Sequence, residues 1–266
     1  MTTLTMPRRA WVEQVMGLPI SIHLRGPSVR NVDVDECVQA TYDELRAIDL
    51  LFSTYRPDSE VSRFNRGELA LADAHPLLRE VAVLCDLARR RTHGCFQSWL
   101  PNPDGGTWWD PSGVVKGWAA ERAAHRLSRL AGHDVSVNAG GDIAVSPGRY
   151  DSTPWRIAVE DPDRRGPGGP PLAVVPLAAG GIATSGTSAR GLHIHDPHTG
   201  RPADQVRAVT VVGPSLVWAD VYATAAMVMG PAALDWLESL AEYDGLVVGP
   251  QGVQATSGLS TTVTQR

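Results

Sequence analysis

Between Val34 and Phe52 apolar side chains recur every three or four residues, at Val34, Val38, Tyr42, Leu45, Ile48 and Phe52. That spacing draws one apolar stripe along a helix. The stretch 31–55 is therefore predicted as an amphipathic helix, with Asp33 as its cap and Glu36 three residues on as the capping-box partner. Residues 75–91, HPLLREVAVLCDLARRR, repeat the pattern and stop before Gly94. A third helix is predicted over 112–132, entered through Gly113 and Gly117 and closed by Gly132. Residues 215–230, SLVWADVYATAAMVMG, are apolar nearly all round, which marks a buried helix, capped by Ser215 and stopped at Gly230-Pro231. A short amphipathic helix follows over 233–243.

Other segments follow the two-residue period of strands. Residues 11–24 read as a strand or hairpin, and 134–145 as two strands around Gly140-Gly141. Further strands are predicted in 155–162, 171–186, 206–214 and 245–249, with a Gly/Pro-rich loop at 162–171. Helices and antiparallel hairpins alternate without a βαβ rhythm, so the fold class is α+β rather than a doubly wound sheet. There is no internal repeat, low-complexity tract or clean linker. The 266 residues are read as one domain, two-lobed at most, long enough to bury a sizeable core.

Composition narrows the function classes. Apolar residues make up 43%, charged residues 20%, and the net charge is -5, which leaves no basic footprint for nucleic acid. No run approaches 18 apolar residues, so no membrane span is expected. Cys37, Cys85 and Cys95 are scattered and odd in number, which favours packed thiols over a disulfide framework or zinc knuckle. The first residues lack the apolar core of a signal peptide, and a cytoplasmic protein is expected.

Five segments carry candidate chemistry. In the buried helix, Asp220 and Thr224 lie one turn apart on one face. A carboxylate among apolar side chains is costly unless a cation meets it. Either an Arg pairs with Asp220 while Thr224 simply packs, or a hard ion of the magnesium type takes the carboxylate, the hydroxyl and a backbone carbonyl. DPSGVVKGWAAE, 110–121, opens a helix with an early lysine, Lys116, an arrangement that suits phosphate; its Gly-x-x-x-Gly also suits close helix packing. In VNAGGDIAV, Asn138 and Asp142 flank a glycine turn that reads as a tight hairpin. In FSTYRPDSEVSRFNRG, Asp58 and Ser59 are capping residues, and Tyr55 can stack on a ring or seal the core. Finally, GLHIHDPHTGRPAD sets His193 and His195 on one face of a predicted strand, ahead of a turn at Asp196 and Thr199-Gly200. The remaining histidines supply no paired zinc spacing. A histidine near its unperturbed pKa suits general-base work, and a solvated hairpin is the alternative.

Taken in order, MGLPISI (16–22), FSTYRPDSEVSRFNRG (52–67), DPSGVVKGWAAE (110–121), VNAGGDI (137–143), PWRIAVEDP (154–162), IATSG (182–186), HIHDPHTGRPA (193–203) and VTVVGPSLVWADVYATAAMVMG (209–230) resemble the ApbE family of flavin transferases. The resemblance implies an ApbE-like, T-fold-related single domain with an antiparallel sheet and packed helices. It implies an Mg²⁺-dependent FAD:protein FMN transferase, which attaches FMN through a phosphoester bond to a Ser or Thr of an acceptor protein and releases AMP. It places the metal on Asp220, Thr224, Gly113 and Ala223, the last two through carbonyls. It assigns FAD contacts to Met16, Tyr55, Asp110, Lys116 and Ile194, and the general base to His193. Where the family has Phe-Asp-Pro, this chain departs with Phe96-Gln97-Ser98; Gln97 and Ser98 are the candidate FAD contacts of that loop. The segment between IATSG and His193 is also short. Two other activities use the same residues: Mg²⁺-dependent hydrolysis of FAD to FMN and AMP, and FAD binding without turnover, as a carrier.

Overall fold

The chain first reverses at Met16 and Gly17, which both take left-handed φ values, 56° and 71°. Two such residues in a row make the tight turn whose twist matches that of paired strands. It joins β1 (Arg8–Val15) to β2 (Leu18–Arg25), so the 11–24 segment is a hairpin. In the computed structural model, residues 6–102, 105–146, 153–163, 170–187 and 191–259 are described. Within them runs an eight-stranded antiparallel sheet. Its order is β1, β2, β5 (Asp134–Ala139), β6 (Asp142–Ser146), β9 (Gly180–Gly186), β10 (Ala208–Gly213), β11 (Asp244–Gly249) and β12 (Gly252–Ala255).

The two-residue alternation sorts the sheet into two faces. On β2, Ile20, Ile22 and Leu24 pair with Ala139, Val137 and Val135 of β5, and all six are buried on one side. Against that side pack α1 (Val32–Phe52), α4 (Ser112–Leu127) and α5 (Leu216–Met229), with α3 (Pro76–Arg91) beyond them. The opposite side, from β6 to β11, is covered by a hairpin of β7 (Trp155–Val159) and β8 (Ala173–Leu177). Its Ile157, Val159 and Val175 form a second core with Ile182, Leu246 and Val248. The α+β class is as the patterning predicts.

Several local expectations change. Helix α1 begins at Val32, and its flanking Asn31 makes no side-chain cap. Asp33 falls inside the first turn, where its charge meets the helix dipole without capping. The predicted Asp33–Glu36 capping box therefore does not form. Ser59 does cap, accepting from Ser62 N at 3.0 Å to start a short helix, α2 (Glu60–Asn65), which periodicity could not show in six residues. A small hairpin of β3 (Trp99–Pro101) and β4 (Thr107–Trp109) was also not predicted. Asn65 ties it down, donating to Trp109 O and accepting from Trp109 N, both at 2.8 Å. The predicted strand around His193 is an open loop with one isolated bridge, His195 to Pro202. The turn after it is as read: Thr199 Oγ1 donates to Asp196 Oδ2 at 2.8 Å, and Gly200 N to Asp196 O at 2.7 Å.

The apolar helix continues through a 3₁₀ turn into α6 (Ala233–Glu238). The whole run, Leu216–Glu238, is long and apolar enough to cross a membrane, with a mean hydropathy of 1.3. Yet Leu216, Ala219, Val221, Ala225, Ala226 and Leu237 lie fully inside the core, which accounts for their apolarity without a bilayer. Its seat on the sheet depends on Gly181: a Cβ there would stand 2.6 Å from both Leu216 N and Leu216 Cβ. Gly181→Ala is expected to lower the urea-unfolding free energy by about 1–3 kcal/mol through overpacking against this helix. Unchanged stability in that titration would contradict the observed seating of α5.

Candidate functional site

Lys116, at the second turn of α4, points its ammonium between two carboxylates. One is Asp142, at the start of β6, which it meets as a close ion pair; the other is Asp220 of α5, with Nζ 3.4 Å from Oδ1. Both carboxylates are buried, at 3% and 6% of their side-chain surface, and Lys116 retains 26%. Burial opposes the Lys116 ammonium, yet the charges of Asp220 and Asp142, with the hydrogen bonds they accept, outweigh it and raise the lysine pKa. Asp142 is held in turn by Thr184 of β9, whose N–H donates to Oδ1 at 3.0 Å. One turn along α5 from Asp220, Thr224 Oγ1 lies 3.0 Å from Ser185 Oγ on β9.

Local sequence explains why these atoms meet. Asp142 is opposite Ala139 in the β5–β6 register, on the same face as Val137 and Val135, so its side chain enters the helix side of the sheet. The adjacent turn is a hairpin as predicted, with Asn138 Oδ1 accepting from Gly141 N at 2.8 Å. Helix α4 can approach α5 because residue 117 has no side chain: a Cβ there would lie 3.2 Å from both Asp220 Oδ2 and Leu216 O. Of the two readings of Gly113-x-x-x-Gly117, close packing is thus realised. Gly113 does the same for Phe96, whose ring would be 3.1 Å from an added Cβ.

Asp220 pairs with a lysine rather than the Arg considered from sequence. Beside it, the donor set is of hard oxygens: the Asp220 carboxylate and the Thr224 and Ser185 hydroxyls. Among the described residues no three His, Cys, Asp or Glu side chains converge. Those oxygens are of the kind a magnesium-type ion takes and do not suit a soft-ligand metal.

The remaining expected residues are each held by separate local contacts. Asp110 lies just ahead of α4, its Oδ1 accepting from Ser112 N at 2.9 Å. Ser98 is buried; it hydrogen-bonds the Cys85 thiol, and its carbonyl accepts from Asp110 N at 2.8 Å. Its side chain therefore faces the core. Burial first, and then the charge of Asp110, push the Cys85 thiol up to about 11 despite its hydrogen bonds, so it is a packed thiol. Gln97 Oε1 accepts from Trp99 N at 3.3 Å. Tyr55 is 95% exposed; it does not seal the core. Met16 sits at the β1–β2 turn, with its N–H donating to Asp49 Oδ2 at 3.2 Å.

His193 is exposed, with Nδ1 3.1 Å from Gly191 O. Its loop rests on the segment that follows α3. Ile194 packs on the main core, and the His198 ring would lie 3.1 Å from a Cβ on Gly94. Gly94, Cys95 and Phe96 then lead to Gly113. His193 itself is not part of the Lys116 cluster. Two members of that cluster, Asp142 and Ser185, were not picked as site residues from sequence. A period-two count from Ala139 would have turned Asp142 inward; Ser185 carried no comparable signal.

The ApbE family model matches residues 16–100 and 97–247. The chain belongs to the ApbE family. A FAD:protein FMN transferase of Salmonella typhimurium is 31% identical over 248 residues, covering 70% of this chain and 69% of that protein. One from Vibrio cholerae is 36% identical over 132 residues, covering 46% of this chain. The chain spans only 38% of the length of that curated relative. Among solved structures, an ApbE protein of Thermotoga maritima superposes with a TM-score of 0.80 at 20% identity, covering 97% of this chain and 100% of that one. The apo flavinyl transferase ApbE of Pseudomonas stutzeri gives 0.79 at 22%, covering 100% of each. These likenesses show the ApbE fold.

The Lys116 pair sets a pH dependence for this ApbE domain. Because the folded-state pKa is raised above the ordinary 10.5, the pair's stabilisation is fully present below about pH 10.5 and is lost as pH rises through the folded value. Lys116→Met is expected to cost on the order of 3 kcal/mol at pH 8, since it strips the cation from buried carboxylates. In urea unfolding the gap between wild type and variant should narrow above pH 10.5; a gap that instead widens there would contradict the raised pKa.

Proposed function

We propose that this protein is an Mg²⁺-dependent FAD:protein FMN transferase that joins FMN to a Ser or Thr hydroxyl of an acceptor protein and releases AMP. The observation that carries the reading is the pairing of a cationic and a hard-oxygen centre: Lys116 between Asp142 and Asp220, one helical turn from the Thr224 and Ser185 hydroxyls. A diphosphate undergoing transfer needs its developing negative charge offset by positioned cations. Lys116 supplies one. Asp220, Thr224 and the carbonyls of Gly113 and Ala223 would hold the other, a magnesium ion, which acts as a Lewis acid on the phosphate oxygens.

In the proposed reaction the acceptor oxygen attacks the phosphorus on the riboflavin side of FAD. The bond from that phosphorus to the oxygen bridging to AMP breaks, and AMP leaves with the bridging oxygen. His193 takes the hydroxyl proton. Its exposure suits this role, because the hydroxyl arrives on another protein. Met16, Tyr55, Gln97, Asp110 and Ile194 are placed around the bound dinucleotide in this reading. The free ring of Tyr55 offers a stacking face.

Incubation with FAD and Mg²⁺, with and without lysate from the source cell, tests the proposal. A fluorescent flavin band that survives denaturing electrophoresis and depends on lysate is expected; AMP and free FMN without the band would mean hydrolysis, and intact FAD would mean a carrier. His193→Ala should cut transfer by about 10²-fold or more while FAD still binds. Asp220→Ala should abolish Mg²⁺-dependent turnover, and unaltered activity in that variant would remove the proposed metal site.

A further inference from the structure

Ser215 precedes α5 as sequence predicts, yet its hydroxyl makes no cap. Instead it donates to Glu121 Oε2 of α4 at 2.8 Å, and the same oxygen accepts the first-turn N–H of Val217 at 3.0 Å. The acceptor oxygen that normally comes from the capping residue is thus delivered by a neighbouring helix. We propose that Glu121 is a positioning residue for the site: it clamps the start of α5 to α4 and so fixes where Asp220 stands against Lys116.

The geometry of the two helices supports this. Lys116 and Glu121 occupy successive turns of α4, and Asp220 follows Val217 by about one turn of α5. Between the two links lies the side-chain-free approach at Gly117, against Leu216 O and Asp220 Oδ2. The helices therefore touch at a glycine, which allows sliding, and are pinned one turn away by Glu121. A carboxylate at a helix N-terminus also gains from the dipole and from first-turn N–H groups that have no helical acceptor. Sliding α5 by even about 1 Å would stretch the 3.4 Å separation of Lys116 Nζ from Asp220 Oδ1, and misplacements of that size can cost on the order of 100-fold in rate.

The catalytic part of this inference rests on the flavin-transfer reading; the geometric part does not. The experiment compares Glu121→Ala, which removes the acceptor, with Glu121→Gln, whose amide oxygen can still accept both hydrogen bonds. The approach of α4 to α5 is followed by NMR through the contact between the Gly117 Cα protons and the Asp220 Cβ protons, Mg²⁺ alone is titrated by calorimetry, and transfer from FAD is assayed. Glu121→Ala should weaken the Gly117–Asp220 contact, weaken Mg²⁺ binding by about tenfold or more, and lower kcat more than it raises KM. Glu121→Gln should restore the contact and most of the Mg²⁺ affinity. A wild-type protein that transfers no flavin would remove the reading above while leaving the NMR comparison intact. The positioning role itself is overturned if Glu121→Ala leaves the Gly117–Asp220 contact and Mg²⁺ affinity as in wild type, or if Glu121→Gln loses as much as Glu121→Ala.

Discussion

Two carboxylates brought together inside a protein repel one another and lose their hydration. Asp142 and Asp220 tolerate this because Lys116 reaches both. The consequence is mutual: burial alone would lower the lysine's pKa, and the carboxylates reverse that shift. One ammonium thereby joins α4, α5 and the β5–β6 hairpin at one point. The arrangement concentrates charge where the sheet and its two central helices meet, and leaves a quarter of the lysine open to solvent.

The fold holds these charges by close backbone approach more than by long side chains. Gly117 lets α4 come against Leu216 O, and Gly181 admits α5 onto β9. Tight packing of this kind fixes separations that flexible side chains could not, because a dense interior yields little. Hydroxyl contacts then refine the positions: Ser185 with Thr224, and Ser215 with Glu121. The loop bearing His193 is held differently, by Ile194 packing and by the Asp196 turn, and its imidazole stays exposed.

Much of this was readable from residue order. The apolar stripe from Val34 to Phe52, the all-round apolarity of 216–229 and the strand–glycine–strand pattern at 134–146 each became the element expected. Asp220, Thr224 and Lys116 were marked by spacing and by the cost of a carboxylate in an apolar helix. The failures were local and short. The six-residue α2 and the β3–β4 hairpin carry too few residues for periodicity to register. The Asp33–Glu36 box lost to an earlier helix start at Val32, and the His193 strand lost to a loop that pairs only at His195.

By itself, then, the sequence determined the fold class, the identity of the central helices and the family to which the chain belongs, since each depends on periodicities and motifs that neighbours in the chain carry. Tertiary structure alone decided that Lys116 is shared by Asp142 and Asp220, that Ser185 joins Thr224, and that Glu121 caps a helix 94 residues further on. Those pairings arise where separate elements cross. Their energy depends on distances of a few ångströms between groups far apart in the chain, which no local pattern encodes.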